Sequence, residues 1–445
     1  MFGRGGIFLH NQKPIIYNVL LLTGVNLLLR FTSTSFQVYL SGKIGAEGIG
    51  LLQLILSVGS LAFTIGMAGI RTATMYLCAE VVGQKKVSSL GWVISGCIVY
   101  SVCISLSVAF LLYQFAPLIA KMWIGAQESI HAIRLLAGFL PVSCLCGVMI
   151  GYYTGVNKIL TLTGVEICEQ ACSMCVSIIL LILWSGKNAL RACQAVIIGS
   201  GIGGCITLIL LVLIKYRQRE VLGPQIQVKR KLWDIAVPLA IADTTKAGIS
   251  TTENLIVPKR LRLYAGETSP LAAFGIVCGM VFPVLMFPAA ILYGLAELLI
   301  PEISRCNAAG SYKRILYLTR KSLRLTLLYG FLCGGVLYLS ADRLCAKLYH
   351  EVQAGQYLKW YALLAPMLYC DVIVDAITKG LGKQKICVRN NIITSAMDVT
   401  MLFILLPQYG MKGYFISFFL SHITNFMLSI GILSKSIYST QKQSI

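Results

Sequence analysis

Charged residues are scarce in this 445-residue sequence. They make up 12% of it, against about 25% in a typical soluble domain, which excludes an ordinary soluble protein. The chain also lacks a nucleophile elbow, a P-loop, a dinucleotide-binding fingerprint and a metalloprotease motif. We therefore expect no enzyme, no cofactor and no ATP hydrolysis of the P-loop kind.

Histidine is scarce as well, with four residues, whereas cysteine is plentiful, with 16. Cys168, Cys172 and Cys175 recur at helical spacing, which could indicate a metal site. A zinc site, however, needs clustered ligands with histidine or carboxylate support, and no histidine lies beside these cysteines. We interpret them as small, soft core residues and expect no metal.

Hydrophobic residues make up 57% of the chain, and the mean hydropathy is +0.78. They form about twelve runs of roughly 20 residues, the length that crosses a bilayer core of about 30 Å as a helix. Such runs are too long and too continuous for barrel strands. The sequence predicts an all-α polytopic membrane protein, with about twelve transmembrane helices in two six-helix lobes around a central cavity.

One polar stretch, 215–234, interrupts these runs near the middle of the chain and is rich in Lys and Arg. Gly223 and Pro224 would break any continuous helix there. We interpret this stretch as a cytoplasmic bridge between the two halves. The predicted N-terminal lobe, bridge and C-terminal lobe are 1–220, 221–231 and 232–445.

The basic loops also predict the topology. The net charge of +21 could suggest nucleic acid, but the basic residues lie between apolar runs, where anionic lipid explains them better. With both termini and the bridge on the cytoplasmic side, about twice as many Lys and Arg lie inside as outside, which is the expected bias. This scheme leaves one basic cluster outside without explanation: Lys259, Arg260 and Arg262.

Short similarities indicate that the two halves repeat. Gly155 and Gly380, each three residues before a lysine, are 225 residues apart (380 − 155), and Gly83 and Gly310 are 227 apart (310 − 83). Six spans in each repeat would relate the halves by an axis along the membrane normal. Glycine followed by lysine is also common where helices stop, so the pairs could arise without a repeat.

Polar residues inside the apolar runs are the candidate site residues. In the first span Asn26, Arg30 and Gln37 share one side of the helix, and Arg30 lies near the bilayer centre. A charge at that depth faces a cavity or a partner, so Arg30 either contacts a phosphate or forms a structural ion pair. Arg71, toward the cytoplasmic end of the second span, either belongs to the same site or extends to the interface.

The seventh span carries the most polar residues, including Asp243, Lys246, Glu253 and Asn254. Asp243 and Lys246 are three apart, so they could neutralise each other on one face. Such a span is too polar to face lipid, and we expect it to line the cavity. A buried polar network that only fixes packing would have the same composition.

Two pairs of acids lie in other spans. Glu166 and Glu169 share a face of the fifth span. Asp371 and Asp375 share a face of the tenth. Carboxylates inside a membrane can carry protons, so these four are candidates for ion coupling. Ion pairs with basic loop ends such as Lys379 would explain them equally well.

Several motifs resemble those of a known family. They are NLLLRFTSTSFQVYLSGKIGAEGIGLLQL from Asn26, TENLIVPKRL from Thr252, FGIVCGM from Phe274, IPEIS from Ile300 and KGLGKQ from Lys379. In this order they resemble the polysaccharide-export branch of the MOP (multidrug/oligosaccharidyl-lipid/polysaccharide) flippase superfamily, above all its sporulation members. The likeness covers nearly the whole chain. It implies two six-helix lobes with alternating access and a substrate made of a polyprenyl diphosphate bearing sugars.

The resemblance also implies that cavity arginines meet the diphosphate, and the first-span arginine of that pattern falls on Arg30. A second one, six residues further on, would fall on Phe36, so that contact is absent. We expect a flippase for a lipid-linked cell-wall precursor, of peptidoglycan or spore cortex, in the bacterial cytoplasmic membrane. Membrane lipids and wall-synthesis enzymes are its expected partners, and nucleic acid is not.

Two alternatives stay open. One is a cation-coupled multidrug exporter of the same superfamily, although that branch typically carries an acid in the first span, where this chain has Arg30. The other is a membrane scaffold for wall-synthesis enzymes with no transport of its own.

Overall fold

The computed structural model describes residues 13–84, 87–186, 188–217, 229–266 and 269–442. The helices of the first half are α1 Lys13–Met67, α2 Ile70–Gly83, α3 Leu90–Ile119, α4 Ile130–Gly155, α5 Ile159–Leu180 and α6 Ala189–Arg217. Those of the second half are α7 Lys229–Leu261, α8 Pro270–Gly275, α9 Phe282–Met286, α10 Ala289–Ala308, α11 Tyr312–Tyr349, α12 Val352–Ala362, α13 Ala365–Gly380, α14 Gln384–Tyr409 and α15 Met411–Lys442. Short 3₁₀ or π turns extend some of them. No strand occurs in these ranges, so the all-α prediction is confirmed.

The helices account for the predicted twelve spans. Eight stretches are long and apolar enough to cross a membrane, and two more arise if helix pairs bent by 60° and 55° each count as one span. One of the eight, Gly24–Gly83, has 60 residues, about 90 Å of helix and hence enough for two spans. Helix α7 has the length of a span, with 33 residues, but is too polar to be counted by apolarity. Counting both brings the described part of the chain to twelve.

Identifiable breaks divide these long helices. Gly45, with φ 69°, kinks α1 between its two spans. Ala68 and Gly69, both with positive φ, separate α1 from α2. The 60° bend lies at Phe287–Pro288, between α9 and α10, and proline is an ordinary cause of such a bend.

The described residues form two compact units that do not follow the chain in order. The N unit is Lys43–Leu255, and the C unit combines Met1–Gly42 with Ile256–Ile445. Helices α1 and α7 therefore each belong to both units. These units do not have the bounds of the predicted lobes, 1–220 and 232–445. The division into those two lobes stays a prediction.

Hydrogen bonds show how the two long helices are shared. In the C unit, the Gln37 amide on α1 donates to the Gly279 carbonyl over 3.1 Å. In the N unit, Thr251 and Asn254 on α7 donate to Ser57 over 3.1 and 3.0 Å. Most of the predicted bridge, residues 218–228, lies outside the described residues, whereas 229–231 already form the start of α7.

Matched turns support the internal repeat. Asn157 and Gly382, 225 residues apart (382 − 157), both have left-handed backbone, with φ 60° and 75°. The following lysines make the same bond in each half: the Lys158 amide donates to the Tyr153 carbonyl over 2.9 Å, and the Lys383 amide donates to the Thr378 carbonyl over 3.1 Å. Such a bond is common at helix ends, so it is the equal spacing of the two turns that favours a repeat.

The repeat extends to the packing beside these turns. A Cβ on Gly155 would lie 2.7 Å from the Met75 carbonyl oxygen, and one on Gly380 would lie 2.9 Å from that of Ile300, again 225 residues on (300 − 75). One predicted pair was wrong by two residues. Helices α2 and α10 end at Gly83 and at residue 308, so the offset there is also 225 (308 − 83), not 227.

Glycines let α4 pack against the backbone of α2. Gly147, Gly151 and Gly155 follow one another at steps of four on α4. A Cβ on Gly151 would lie 2.4 Å from the Arg71 carbonyl oxygen and 3.0 Å from the Thr74 Cβ. This is the pattern of small residues that brings membrane helices into close contact.

The basic cluster that the topology left unexplained is partly accounted for. The Arg260 guanidinium lies 3.1 Å from the centre of the Phe403 ring, in the C unit. A cation over an aromatic face is stabilised by the ring quadrupole, so the contact with Phe403 gives Arg260 a favourable position within the C unit.

Candidate functional site

A polar cavity of about 360 Å³ lies within the C unit. Carboxylate, amide and ammonium groups from four helices line it: Glu297, Asp371, Asp375, Lys379, Asn391 and Asn425. Helix α10 supplies the first of these, α13 the next three, and α14 and α15 the two amides. Two residues predicted for ion coupling are therefore brought together with three polar residues that sequence reasoning did not select.

The two predicted acids in this cavity have different partners. Asp375 forms an ion pair with Lys379, one turn further along α13, at 2.6 Å. Asp371 accepts a hydrogen bond from the Asn425 amide at 3.0 Å through one carboxylate oxygen. Its other oxygen and the amide oxygen of Asn425 are buried without a hydrogen-bond partner in the described structure. Two buried oxygens without a donor can accept a cation or a donor group there.

A second polar cluster lies in the N unit. Arg71 on α2 is close enough to Glu166 on α5 to interact with its carboxylate, and Glu169 lies near the same group. Glu169 in turn accepts a hydrogen bond from the Thr207 hydroxyl on α6, at 2.9 Å. The structure thus joins residues that were predicted separately, one for the substrate and two for ion coupling.

Local chain geometry explains the position of Arg71. The break at Ala68 and Gly69 starts a new helix, α2, immediately before it. Because Gly147 and Gly151 carry no side chains, α4 approaches the backbone at Arg71 closely. The guanidinium is exposed, so it interacts with Glu166 without being enclosed.

The two polar clusters occupy corresponding positions of the repeat. Arg71 in the N unit corresponds to Ala296 in the C unit (296 − 71 = 225), and Glu166 corresponds to Asn391 (391 − 166 = 225). Both Ala296 and Asn391 line the C-unit cavity. The N unit therefore has a built-in cation at the place where the C unit has a small side chain and open volume.

The polar residues of the first span divide into two groups. Asn26 and Arg30 are exposed, and no ion pair of Arg30 occurs in the part of the chain that the structure describes. Gln37 is half-buried and donates to the Gly279 carbonyl, so it fixes helix packing. The structural ion pair considered for Arg30 is therefore not seen among the described residues.

The seventh span shows the same division. Asp243 and Lys246 are exposed, and the ion pairs of the described residues do not include one between them. Asn254 contacts Ser57 of α1, which corresponds to the packing interpretation. Glu253 is half-buried. Polar composition alone could not separate these two uses, because both place polar atoms inside the membrane.

The structure adds one cluster that the sequence did not indicate. The Ser417 hydroxyl donates to the Asp398 carboxylate at 2.6 Å. His422 lies near the same carboxylate and stacks on Phe418, with ring centres 3.9 Å apart. Asp398 and Ser417 lie on different helices, α14 and α15, and only knowledge of the helix pairing could have joined them.

A cavity of about 470 Å³ in the N unit is mainly apolar. It is lined by residues of α1, α3, α4 and α6, among them Leu56, Phe63, Leu112 and Phe139, with a few serine hydroxyls.

Cys168 and Cys175 are exposed, so the interpretation of these two as core residues was wrong. No disulfide joins the cysteines that the structure describes, and no group of three or more His, Cys, Asp or Glu that could hold a metal occurs within the described ranges. The expected absence of metal stays a prediction.

Comparison with known proteins finds similarities in both sequence and fold. Residues 22–183, less than half of the chain, match the MatE family model. Among solved structures, the fold resembles that of a multidrug resistance MATE family transporter of the MOP superfamily in an inward-facing conformation. The TM-score is 0.75 at 13% identity, over 95% of this chain and 100% of that one. The fold is that of this transporter, so the predicted fold class is confirmed, and the predicted resemblance to the MOP superfamily is found in both sequence and fold.

Two known proteins resemble the chain along most of its length. It is 21% identical to stage V sporulation protein B of Bacillus subtilis (strain 168), over 90% of this chain and 80% of that protein. It is 22% identical to sporulation protein YkvU of the same organism, over 83% of each. The sporulation relatives that the motifs indicated are thus found among known proteins.

Proposed function

We propose that this transporter moves a polyprenyl-diphosphate-linked saccharide, a precursor of peptidoglycan, spore cortex or another cell-wall polymer, across the bacterial cytoplasmic membrane by alternating access. The observation that carries the proposal is Arg30, an exposed guanidinium within the first span that has no ion pair in the described part of the chain. The similarity to two sporulation proteins supports the cellular setting.

The chemistry of the substrate explains why a free arginine matters. A diphosphate carries more than one negative charge, and burying it without a counter-charge costs several kcal/mol or more. The guanidinium has a rigid fork of donors that matches two phosphate oxygens. A cationic drug would be repelled at Arg30, so this residue favours an anionic substrate over the drug class.

The other predicted substrate residues have unequal parts in this proposal. Asn26 lies one helical turn from Arg30 and is exposed, so it can contact sugar or phosphate beside that residue. Asp243 and Lys246, which belong to the N unit, are also exposed, and their part in substrate binding stays a prediction. Gln37 and Asn254 are hydrogen-bonded to neighbouring helices and act as positioning residues. Arg71 interacts with Glu166, so we assign it to ion coupling and not to contact with the substrate.

Transport by the purified protein tests the proposal. In proteoliposomes holding a fluorescent polyprenyl-diphosphate disaccharide, we expect the protein to raise the fraction of label that dithionite reaches, compared with empty vesicles. The second candidate is a drug exporter, because the fold resembles that of a multidrug resistance transporter with a TM-score of 0.75. Transport of ethidium in place of the lipid would favour that candidate. Transport of neither compound, with precursor accumulating in depleted cells, would favour the scaffold for wall-synthesis enzymes.

The C-unit cavity is proposed as the site of ion coupling. Arg71 provides a permanent cation beside Glu166 in the N unit, and the repeat places Ala296 and open volume at the corresponding point of the C unit. A cation bound between Asp371 and Asn425 would satisfy the two buried oxygens that have no donor. Carboxylate and carbonyl oxygens are the ligands that hard cations prefer.

Asp371→Asn is expected to remove the dependence of transport on a sodium or proton gradient and to lower gradient-driven transport about tenfold or more. The neutral amide keeps the shape of the side chain but attracts a cation far less. The measurement is lipid transport in vesicles with and without an imposed gradient. The matched control, Asp375→Asn with Lys379→Gln, removes the 2.6 Å ion pair without changing the net charge of the cavity and should retain the gradient dependence. Unchanged gradient dependence in Asp371→Asn would exclude this site.

Both termini and the 215–234 bridge are proposed to be cytoplasmic, because the basic loops favour that side. A cysteine at position 225, in a variant cleared of reactive native cysteines, is expected to react with an impermeant maleimide only after the cells are opened. Labelling in intact cells would reverse the topology. A cysteine in the loop at Gly266, predicted on the outside, serves as the control that must react in intact cells.

A further inference from the structure

The exposed face of α11 changes character along its length. The helix has 38 residues, about 57 Å, and so exceeds the thickness of a bilayer core. Between residues 325 and 339 its exposed large side chains are apolar: Leu325, Leu327, Leu328, Phe331, Leu332, Val336, Tyr338 and Leu339. Exposed leucines on a membrane-spanning helix face lipid chains, because the tails are as apolar as leucine.

Toward its N-terminus the same face is basic and aromatic. The exposed residues there are Lys313, Tyr317, Arg320, Lys321 and Arg324. Arg324, Leu328 and Phe331 follow one another at steps of four and three, so the basic and apolar parts form one continuous stripe. The opposite face, with Ile315, is buried. The change from apolar to basic therefore occurs along a surface directed at lipid.

The basic residues of this stripe differ in how far they are already neutralised. Arg314, beside the stripe, is paired with Glu302, and the Lys321 ammonium contacts the Tyr317 hydroxyl at 3.4 Å. Lys313, Arg320 and Arg324 have no ion pair with any residue that the structure describes. Three cations without counter-charges thus lie at the end of an apolar, lipid-facing surface.

We infer that this stripe binds an anionic phospholipid of the bilayer, with the phosphate held by Arg320 and Arg324, which are one turn apart, and the acyl chains lying along residues 325–339. Lys313, two turns from Arg320, adds positive charge to the headgroup end of the stripe. Arginine suits this contact because its donor fork matches phosphate oxygens. Tyr317 lies at the level where aromatic residues concentrate in membrane proteins, between headgroups and chains. The bound lipid would set the depth of α11 in the membrane, independently of the transported substrate.

The test uses the full-length protein in nanodiscs of phosphatidylcholine with increasing phosphatidylglycerol, and native mass spectrometry to count retained lipid. We expect selective retention of phosphatidylglycerol by the wild type. The variant Lys313→Gln, Arg320→Gln, Arg324→Gln should bind it about tenfold more weakly or worse, because each basic residue near an anionic surface adds a factor of about five. The matched control, Arg343→Gln with Lys347→Gln, removes exposed basic residues from the other end of α11 and should bind as the wild type does.

A second measurement avoids dependence on the folding of the triple variant. Wild-type protein is cross-linked to photoreactive phosphatidylglycerol or to the phosphatidylcholine analogue, and the adducts are mapped by peptide mass spectrometry. We expect adducts on 313–339 to be enriched for the anionic lipid. Equal distribution of the two lipids on that stretch, or equal loss of phosphatidylglycerol in the triple and the control variants, would overturn the inference.

Discussion

Arg30→Ala is expected to lower export of the lipid-linked saccharide about tenfold or more while leaving the amount of protein in the membrane unchanged. The export rate of Arg30→Lys should lie between those of the wild type and Arg30→Ala. Loss of one partner from a desolvated, hydrogen-bonded charge pair with a phosphate commonly costs about 2–5 kcal/mol. Lysine keeps the charge but loses the donor fork. Insertion should not suffer, because removing a charge from the middle of a span makes insertion easier. Export in vesicles and membrane abundance are measured on the same variants.

Arg191→Ala is the control for this series, since Arg191 is also exposed but lies at the start of α6. It should export normally. A normally abundant Arg30→Ala protein with full export would contradict the proposed phosphate contact. If Arg30→Ala were instead poorly abundant and recovered when an acid was removed, Arg30 would be part of a structural ion pair.

Gly151→Ile is expected to destabilise the protein by about 3 kcal/mol or more and to reduce its abundance in the membrane. A Cβ at this position would meet the Arg71 carbonyl oxygen at 2.4 Å. A backbone atom cannot rotate away as a side chain can, so the larger residue must push α4 and α2 apart. Thermal unfolding of the detergent-solubilised protein, followed by size-exclusion chromatography, measures the effect.

Gly138→Ile on the same helix is the matched variant. Gly138 is exposed, and a Cβ there would meet no atom within 4 Å. It should unfold at nearly the wild-type temperature, although both variants change the intrinsic preference for helix equally. Equal melting temperatures of the two variants would show that the close α4–α2 contact does not contribute to stability.

The parts of the fold that could be predicted from sequence are those fixed by local chemistry. The length and apolarity of the runs determine the spans, because only a helix satisfies its own backbone in lipid. The turns that follow Gly155 and Gly380 were visible because glycine shortly before a lysine is typical of a helix end. The repeat offset of 225 therefore followed from short motifs, whereas the pair Gly83 and Gly310 misled by two residues because a glycine can lie at or beyond a helix end.

Helix pairing is the part of the fold that local patterns do not contain. Gln37 and Asn254 looked like site residues because they are polar and lie within spans, yet each bonds to a neighbouring helix. The cavity around Asp371 is also lined by Asn391 and Asn425, which come from two other helices and belong to no recognisable motif in the sequence. Without the helix neighbours, a lone amide in a span carries no signal of the site it completes.

Helices α1 and α7 each belong to both units, so the C unit is made from two separate stretches of polypeptide, with the continuous N unit between them in the chain. During synthesis, the N unit can close as soon as residue 255 has left the ribosome. The segment of α1 before Gly42 enters the membrane first but must wait for its C-unit neighbours, such as Gly279, until much later. The first span is thus among the oldest parts of the nascent chain, yet it cannot complete its packing until the second stretch of the C unit has been made. Translation time through Lys43–Leu255 consequently sets the minimum interval for which Arg30 stays in the membrane before any residue of that second stretch exists.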